Sequence, residues 1–592
     1  MGKMRVLGIH DGHNASAAII EDGKVLAAVQ EERLTRVKNQ GGTPVHALRE
    51  VLRISGIDGF DQVECVLVSG QEPQPPYLAR EDVLQDYVRL SQQGGGWRGR
   101  LRSALADNVR LRRLWKVLHH DDVVAQSQDI RAARLAEIGV PREKIEFIDH
   151  HTAHAASAYY GLGNYSDSVL VLTNDGAGDG VCATVNLGYK GRLERQCAVT
   201  EDRSIATIYA MITYLMGMVP LEHEYKIMGL APYYRGRIEQ NHVYQGLKEL
   251  FEWDPSNSMV WRRRAGVPRV GYLWAYLEQL LRRERFDAIA AGVQTFIEEF
   301  LVEWVRRCVH ESGIRRVAVS GGIFMNVKAN QAILALPEVD NLFVFPSCGD
   351  ETNSIGAAYT YYVQTRLQAD LLVDIPPVGS IYWGGEFTNA EIEDALRGYR
   401  FTSHQVRWQA HEKIERKTAV LLARGEVVAR FKGRMEFGAR ALGNRSILAN
   451  AALPGVVQRI NNMIKARDFW MPFAPSILFD SSKEYLHNPK AVYSPYMILS
   501  FDTREEKRSR ILAAIHPQDG TARPQEVSHS SNSGYAALLE HYKTLTGEGA
   551  ILNTSFNLHG YPLVFSPIDA LDVFNRSGLN YLAIGNYLVS KD

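Results

Sequence analysis

The chain has 592 residues, with 67 lysines and arginines against 67 aspartates and glutamates, so its formal net charge is zero. That balance argues against a protein whose main partner is a nucleic-acid backbone, which asks for a basic excess. The 45% hydrophobic and 23% charged residues fit a soluble globular enzyme, long enough for roughly two to four domains. Five scattered cysteines (Cys65, Cys182, Cys197, Cys308 and Cys348) contain no Cys-x-x-Cys pair, which excludes a zinc ribbon and predicts reduced thiols. No apolar run reaches membrane-spanning length and the N-terminus opens directly into a strand, so a cytoplasmic protein without a membrane partner is expected.

The apolar pattern predicts strands over 5–10, 15–20 and 24–29, the first two joined by the polar turn Asp11-Gly12-His13-Asn14. Such a turn, with backbone amides and polar tips facing a phosphate, is how actin-like phosphotransfer folds begin. Residues 97–120 form a basic amphipathic segment with Arg98, Arg100, Arg102, Arg110, Arg112, Arg113 and Lys116 around Trp115, read as a solvated inserted helix. The alanines at 153, 155, 156 and 158 predict a helix over 153–159, which sets His150 and His154 four apart on one face. Two imidazoles at that spacing can share a metal, and Asp350 in Ser347-Cys348-Gly349-Asp350-Glu351 is the best third ligand. The competing reading is a capped helix start with solvated histidines. A strand over 168–173 then ends in Asn174-Asp175-Gly176-Ala177-Gly178, repeating the plan of strand, acidic Gly-rich turn and strand.

A long amphipathic helix is predicted from Asp287 through Trp304. After it, a strand over 317–319 meets Ser320-Gly321-Gly322, a junction where amides can approach a phosphate. The paired prolines 376 and 377 mark a linker between a domain over 1–375 and one over 380–592. The second domain gathers anion-binding residues: Arg440 and Arg445 in a glycine-rich run, Lys465 and Arg467 before Met471-Pro472-Phe473-Ala474-Pro475, Arg523, and finally Asn553 and Ser555. Guanidinium groups beside glycines suit bidentate phosphate contacts.

Several runs together resemble the O-carbamoyltransferases of the nodulation and antibiotic-biosynthesis type. They are His13-Asn14-Ala15-Ser16-Ala17-Ala18, Glu31-Glu32-Arg33, His150-His151-Thr152-Ala153-His154, Glu224-Tyr225-Lys226-Ile227-Met228-Gly229-Leu230-Ala231, Gly438-Ala439-Arg440-Ala441-Leu442-Gly443-Asn444-Arg445-Ser446, Asp519-Gly520-Thr521-Ala522-Arg523-Pro524-Gln525 and Asn553-Thr554-Ser555-Phe556-Asn557. The resemblance covers essentially the whole chain. It implies an α/β protein with a two-lobed, actin-like (ASKHA) N-terminal domain and a YrdC-like C-terminal domain. The C-terminal domain would make carbamoyl-adenylate from ATP and carbamoyl phosphate, with Mg2+ accompanying the ATP. The N-terminal domain would pass the carbamoyl group to a hydroxyl of a small-molecule acceptor beside a divalent metal, Fe(II) being the expected one.

The same resemblance implies His13 as acid/base at the acceptor hydroxyl and His150, His154 and Asp350 as metal ligands. Lys38, Asp175, Gly229, Gly321, Gly322 and Asn326 would meet the nucleotide or carbamoyl-adenylate; Arg440, Lys465, Arg523, Asn553 and Ser555 would line the adenylation site. A homodimer is a further expectation. The chain departs from the family where Met471 replaces the arginine that often precedes Pro-Phe-Ala-Pro, so that phosphate contact is either missing or supplied elsewhere, by Arg467 or Arg445. The alternatives are a tRNA-modifying threonylcarbamoyl transferase, disfavoured by the neutral charge, and a non-catalytic actin-like ATP-binding scaffold, which needs no metal ligands.

Overall fold

The structure, a computed structural model, describes residues 3–72, 77–94, 121–402 and 404–591. The basic segment at 97–120 lies outside the described residues. The chain divides into two compact units, one made of Met1–Glu31 and Asn39–Val378 and the other of Glu32–Lys38 and Gly379–Asp592.

The first unit uses one sheet plan twice. Strands β1 (Arg5–His10), β2 (Ser16–Glu21) and β3 (Lys24–Gln30) form an antiparallel meander. On the other side of β1, β4 (Cys65–Ser69) and β5 (Ile145–Ile148) add in parallel, giving the order β3-β2-β1-β4-β5. The second sheet repeats this with the meander β6 (Val169–Gly178), β7 (Val181–Tyr189) and β8 (Arg192–Thr200) and the parallel strands β9 (Arg316–Ser320) and β10 (Asn341–Val344). The duplication is the two-lobed, actin-like architecture. Strand β4 is buried at every residue and β1 at all but its first, the pattern of a sheet covered on both faces.

Three helices organise this unit: α1 (His150–Leu162), α2 (Phe286–Ser312) and α3 (Asn353–Gln368). α1 packs on β6, β7 and β9, α3 packs on β1, β2 and β4, and the two helices pack on each other. The strand ends and the first turns of α1 and α3 are thereby brought to one place. α1 starts where the Asp149 side chain accepts from Thr152 N at 2.7 Å, an N-cap that satisfies an orphan amide. Gly163 closes it in the left-handed region.

The second unit is built on an eight-stranded mixed sheet. Its strands are β11 (Val406–Ala410), β12 (Val428–Phe431), β13 (Arg445–Ala449), β14 (Ala474–Leu478), β15 (Gln525–Val527), β16 (Ala550–Ser555), β17 (Tyr581–Ile584) and β18 (Tyr587–Lys591). They run in the order β11-β18-β17-β12-β13-β16-β14-β15. Helices Ile414–Ala423 and His529–Thr546 pack together over a core that includes Leu422, Val428, Leu448, Leu538, Leu539 and Ile551. The segment Glu32–Lys38 belongs to this unit, where Arg33 Nη2 donates to Gly438 O at 2.6 Å and Arg36 Nη2 donates to Pro562 O at 3.0 Å. Residues 371–388 form no helix or strand.

Candidate active sites

In the first unit, four side chains from distant parts of the sequence converge. His150 and His154 lie one turn apart on α1, Asp175 lies near the end of β6, and Asp350 begins the turn that leads into α3. One ligand atom of each falls within 4.8 Å of those of the others. Asp350 Oδ1 stands 3.2 Å from His154 Nε2 and 3.4 Å from His150 Nε2, and Asp175 Oδ2 stands 3.6 Å from His150 Nε2. Both histidines are wholly buried, which disposes of the reading as solvated residues at a helix start.

The surroundings hold this arrangement in place. Asp179, with a positive φ of 51°, takes His150 N on Oδ2 at 2.7 Å and the amides of Gln71 and Glu72 on Oδ1. Gly178 must be glycine because a Cβ there would meet the His150 ring at 2.3 Å. His154 Nδ1 lies 3.2 Å from Ser320 Oγ, so its Nε2 faces the cluster. Asp175 Oδ1 accepts from Gly322 N at 2.7 Å. Gly321 has φ 113° and packs against the backbone of Asn174, which brings that amide into reach.

The electrostatics follow from the geometry. Burial disfavours the charged form of His150, but the carboxylates of Asp350 and Asp175 outweigh it and hold the imidazole well above its ordinary range. Burial would raise Asp350, yet His150 and His154 hold it well below the usual carboxylate range. The cluster therefore draws a positive charge to its centre. Two imidazole nitrogens and two carboxylates also form a suitable donor set for a divalent transition metal. Beside them Asn353 is fully buried, its Nδ2 3.2 Å from His154 Nε2 and its Oδ1 without a hydrogen-bond partner among the described residues. The residues present fit a metal.

His13 is half-buried in the turn between β1 and β2, its ring edge-on to Tyr77 with centroids 6.4 Å apart. Its neighbour Asn14, at φ 60°, donates to Glu351 Oε2 at 2.9 Å and so ties this turn to the one that bears Asp350. Asn326 caps the helix Val327–Ala335 and exchanges amide hydrogen bonds with Gln294, a structural arrangement. Gly229 is buried in the helix Glu224–Leu230. The residues assigned to the nucleotide therefore do not form one group. Asp175, Gly321 and Gly322 stand together at the cluster of His150, His154 and Asp350, and Lys38 belongs to the second unit.

In that second unit the helix Val456–Ile460 runs into a π-turn over Asn461–Lys465, an irregularity often found at functional sites. It ends at Ala466 in the left-handed region. Lys465 is buried, and its Nζ donates to Ser555 Oγ at 2.9 Å and Asn557 Oδ1 at 2.7 Å. Burial, then the charges of Arg467 and Lys38, push its amine well below the usual lysine range. Arg467 lies over the Phe473 ring and donates to Thr554 Oγ1 at 3.1 Å.

Asn553 and Gln525 join the loops that carry the remaining arginines. Asn553 Nδ2 donates to Ala441 O at 3.2 Å and Gln525 Nε2 to Leu442 O at 2.8 Å, so the half-buried Arg440 and Arg523 stand in segments stitched together here. Arg445 is different. It is wholly buried, lies 3.7 Å from the Phe431 ring centroid and donates to the carbonyls of Gly433, Asn444 and Gly385. It braces the loop; Arg467 neighbours Lys465.

Sequence reasoning did not single out His10, Asn353 or Asn557. A His-x-x-His at a strand end was a signal for His10. Asn353, three residues after Asp350, and Asn557, two after Ser555, had no signal beyond proximity.

Residues 5–359 match the family described as Carbamoyltransferase N-terminus, and residues 419–591 match Carbamoyltransferase C-terminus. An uncharacterized protein of Synechocystis is 31% identical over 98% of this chain and 95% of its own length. Nodulation protein NolNO of Sinorhizobium fredii is 28% identical over 98% of this chain and 79% of its own length. Among solved structures, full-length HypF in its phosphate- and nucleotide-bound form has a TM-score of 0.35 at 12% identity, covering 62% of this chain and 56% of HypF. The chain belongs to the carbamoyltransferase family of enzymes.

Proposed function

We propose that the protein is an ATP-dependent O-carbamoyltransferase working in two half-reactions. The second unit, read as a YrdC-like domain, makes carbamoyl-adenylate. Water cleaves carbamoyl phosphate to carbamate and inorganic phosphate, a carbamate oxygen attacks the α-phosphorus of ATP, and pyrophosphate leaves. The first unit then transfers the carbamoyl group to a hydroxyl of a small-molecule acceptor, releasing AMP.

The observation that carries this reading is the burial of Lys465 beside Arg467 and Lys38. Packing cations together is costly unless a multiply charged anion joins them. Carbamoyl phosphate and ATP are such anions. In this reading Lys465, Lys38, Arg467, Arg440 and Arg523 bind the phosphates and stabilise the departing pyrophosphate, while Ser555 and Asn553 orient the carbamate. Arg467 supplies the contact that Met471 cannot.

In the first unit His150, His154, Asp350 and Asp175 would hold the metal, with Asn353 alongside. A bound divalent ion would polarise the carbamoyl oxygen and hold the phosphate of the leaving AMP. His13 accepts the proton of the attacking hydroxyl, and the turn it shares with Asn14 keeps it beside the Asp350 turn.

Arg523→Ala tests the first half-reaction. Removing a charge-assisted contact to phosphate should slow carbamoyl-phosphate-dependent pyrophosphate release by about 10–100-fold. Release at the normal rate would remove Arg523 from the phosphate site. The acceptor is found by incubating candidate alcohols with the enzyme, ATP and carbamoyl phosphate, and looking for carbamoyl addition by mass spectrometry.

A further inference from the structure

The strand end that leads to His13 carries a second, deeper histidine with no role in the scheme above. His10 is the last residue of β1 and is wholly buried. Its register partner on the parallel strand β4 is Ser69, also wholly buried, and His10 Nδ1 lies 2.8 Å from Ser69 Oγ. The other ring nitrogen, Nε2, lies 3.2 Å from the carbonyl oxygen of His13 and 3.7 Å from Asp350 Oδ2.

These contacts assign the tautomer. A carbonyl oxygen only accepts, so the proton of the neutral ring is on Nε2, and the Ser69 hydroxyl donates to Nδ1. The Nε2–H therefore points between the backbone of His13 and the Asp350 oxygen turned away from His150 and His154. Arg131 locks the two strand ends that make this possible. It holds both carboxylate oxygens of Asp11 at 2.8 and 2.7 Å and donates to Gly70 O at 2.6 Å and Ser69 O at 3.0 Å. The residue after His10 and the backbone of its serine partner are thus gripped by one guanidinium.

We propose that His10 is a positioning residue that joins the two halves of the transfer site, orienting Asp350 toward its metal while fixing the backbone of His13. The proposal rests on the reading of His150, His154 and Asp350 as metal ligands. Ligating carboxylates are ordinarily oriented by such outer contacts, whose loss costs about 10–100-fold in metal affinity or activity. Ser69 acts through His10 by holding the tautomer that keeps the proton on Nε2.

Cobalt(II) titration of the full-length, metal-stripped protein, followed by its visible absorption, tests this without the acceptor. His10→Leu removes both contacts and should weaken Co(II) binding by about 10–100-fold. His10→Gln places an amide N–H near the former Nε2–H and should recover most of that loss. Ser69→Ala leaves the ring in place and should weaken binding several-fold, so the test survives if His10→Leu fails to fold. Band positions should not change in any of the three variants, since the ligand set is intact.

Wild-type affinity in His10→Leu or in Ser69→Ala would overturn the proposal, as would equal losses in His10→Leu and His10→Gln. Shifted bands in His10→Gln would make His10 a ligand and overturn its positioning role. Asp350→Ala is the control for the underlying reading. If it binds Co(II) like the wild type, the metal site itself is wrong; if it loses the metal while the His10 and Ser69 variants do not, only the present inference fails.

Discussion

In the first unit two carboxylates converge on two imidazoles inside a shell of strand ends and helix starts, whereas in the second unit the buried Lys465, at the end of a π-turn, feels the charges of Arg467 and Lys38. The cluster of the first unit draws in positive charge, holding His150 well above its ordinary range despite burial. In the second unit burial, then the charges of Arg467 and Lys38, holds Lys465 well below its range. In the proposed scheme each unit's charge arrangement is completed by a ligand of opposite sign, a cation in one and a phosphate in the other. Under the proposed function the contrast would separate two chemistries in one chain: activating a carbamoyl group among phosphates, and delivering it beside a metal.

The sharpest way to break the comparison is to remove a group that the proposed scheme assigns only to delivery. His13→Asn keeps side-chain size and hydrogen-bonding capacity but cannot take a proton at neutral pH. It should lower carbamoyl transfer to the identified acceptor by about 10²–10⁴-fold, the usual contribution of a general base. Pyrophosphate release should be unchanged. Equal losses in both would place His13 in adenylation or in structure; no loss in either would make it an ordinary turn residue.

A smaller, pH-dependent effect sharpens the other side. Burial, Arg467 and Lys38 lower the folded pKa of Lys465, so below the ordinary lysine range the unfolded chain binds more protons than the folded one. The charged lysine therefore costs stability that is regained as pH rises. A bound anion restores the proton, so protection by sulfate should be strongest at low pH and fade upward. Thermal midpoints with and without sulfate between about pH 6 and about pH 9 should show that slope, and Lys465→Met should flatten it. Protection that is independent of pH, or a slope that persists in Lys465→Met, would place the sulfate elsewhere.

The smallest expected effect is at Met471. Because Arg467 already stands beside Lys465, Met471→Arg should change carbamoyl phosphate affinity by no more than about 0.5 kcal/mol, roughly twofold. A gain well beyond that would show that the contact is vacant in this chain.

Much of the first unit was legible in the sequence because its signals are local. The apolar runs of β1, β2 and β3, the alanines of α1 and the four-residue spacing of His150 and His154 follow from periodicity alone. The place of Asp175 was not, because its nearness to His150 depends on Gly178 and Gly321 allowing close backbone approach across two strands and a helix. His10 was hidden for a related reason: its serine partner is set by strand register across nearly sixty residues of sequence. The seven residues Glu32–Lys38 leave the first unit for the second with no composition change to mark the crossing. Their membership is decided by tertiary hydrogen bonds such as Arg33 to Gly438 and Arg36 to Pro562.

The division into two half-reactions is tested most directly by comparing Asp350→Ala and Lys465→Met for bound metal and for carbamoyl-phosphate-dependent pyrophosphate release in the same preparations. Asp350→Ala should lose its metal and release pyrophosphate at the wild-type rate, while Lys465→Met should keep its metal and lose the release. A folded Asp350→Ala protein that no longer releases pyrophosphate, or a Lys465→Met protein that does so normally, would contradict it.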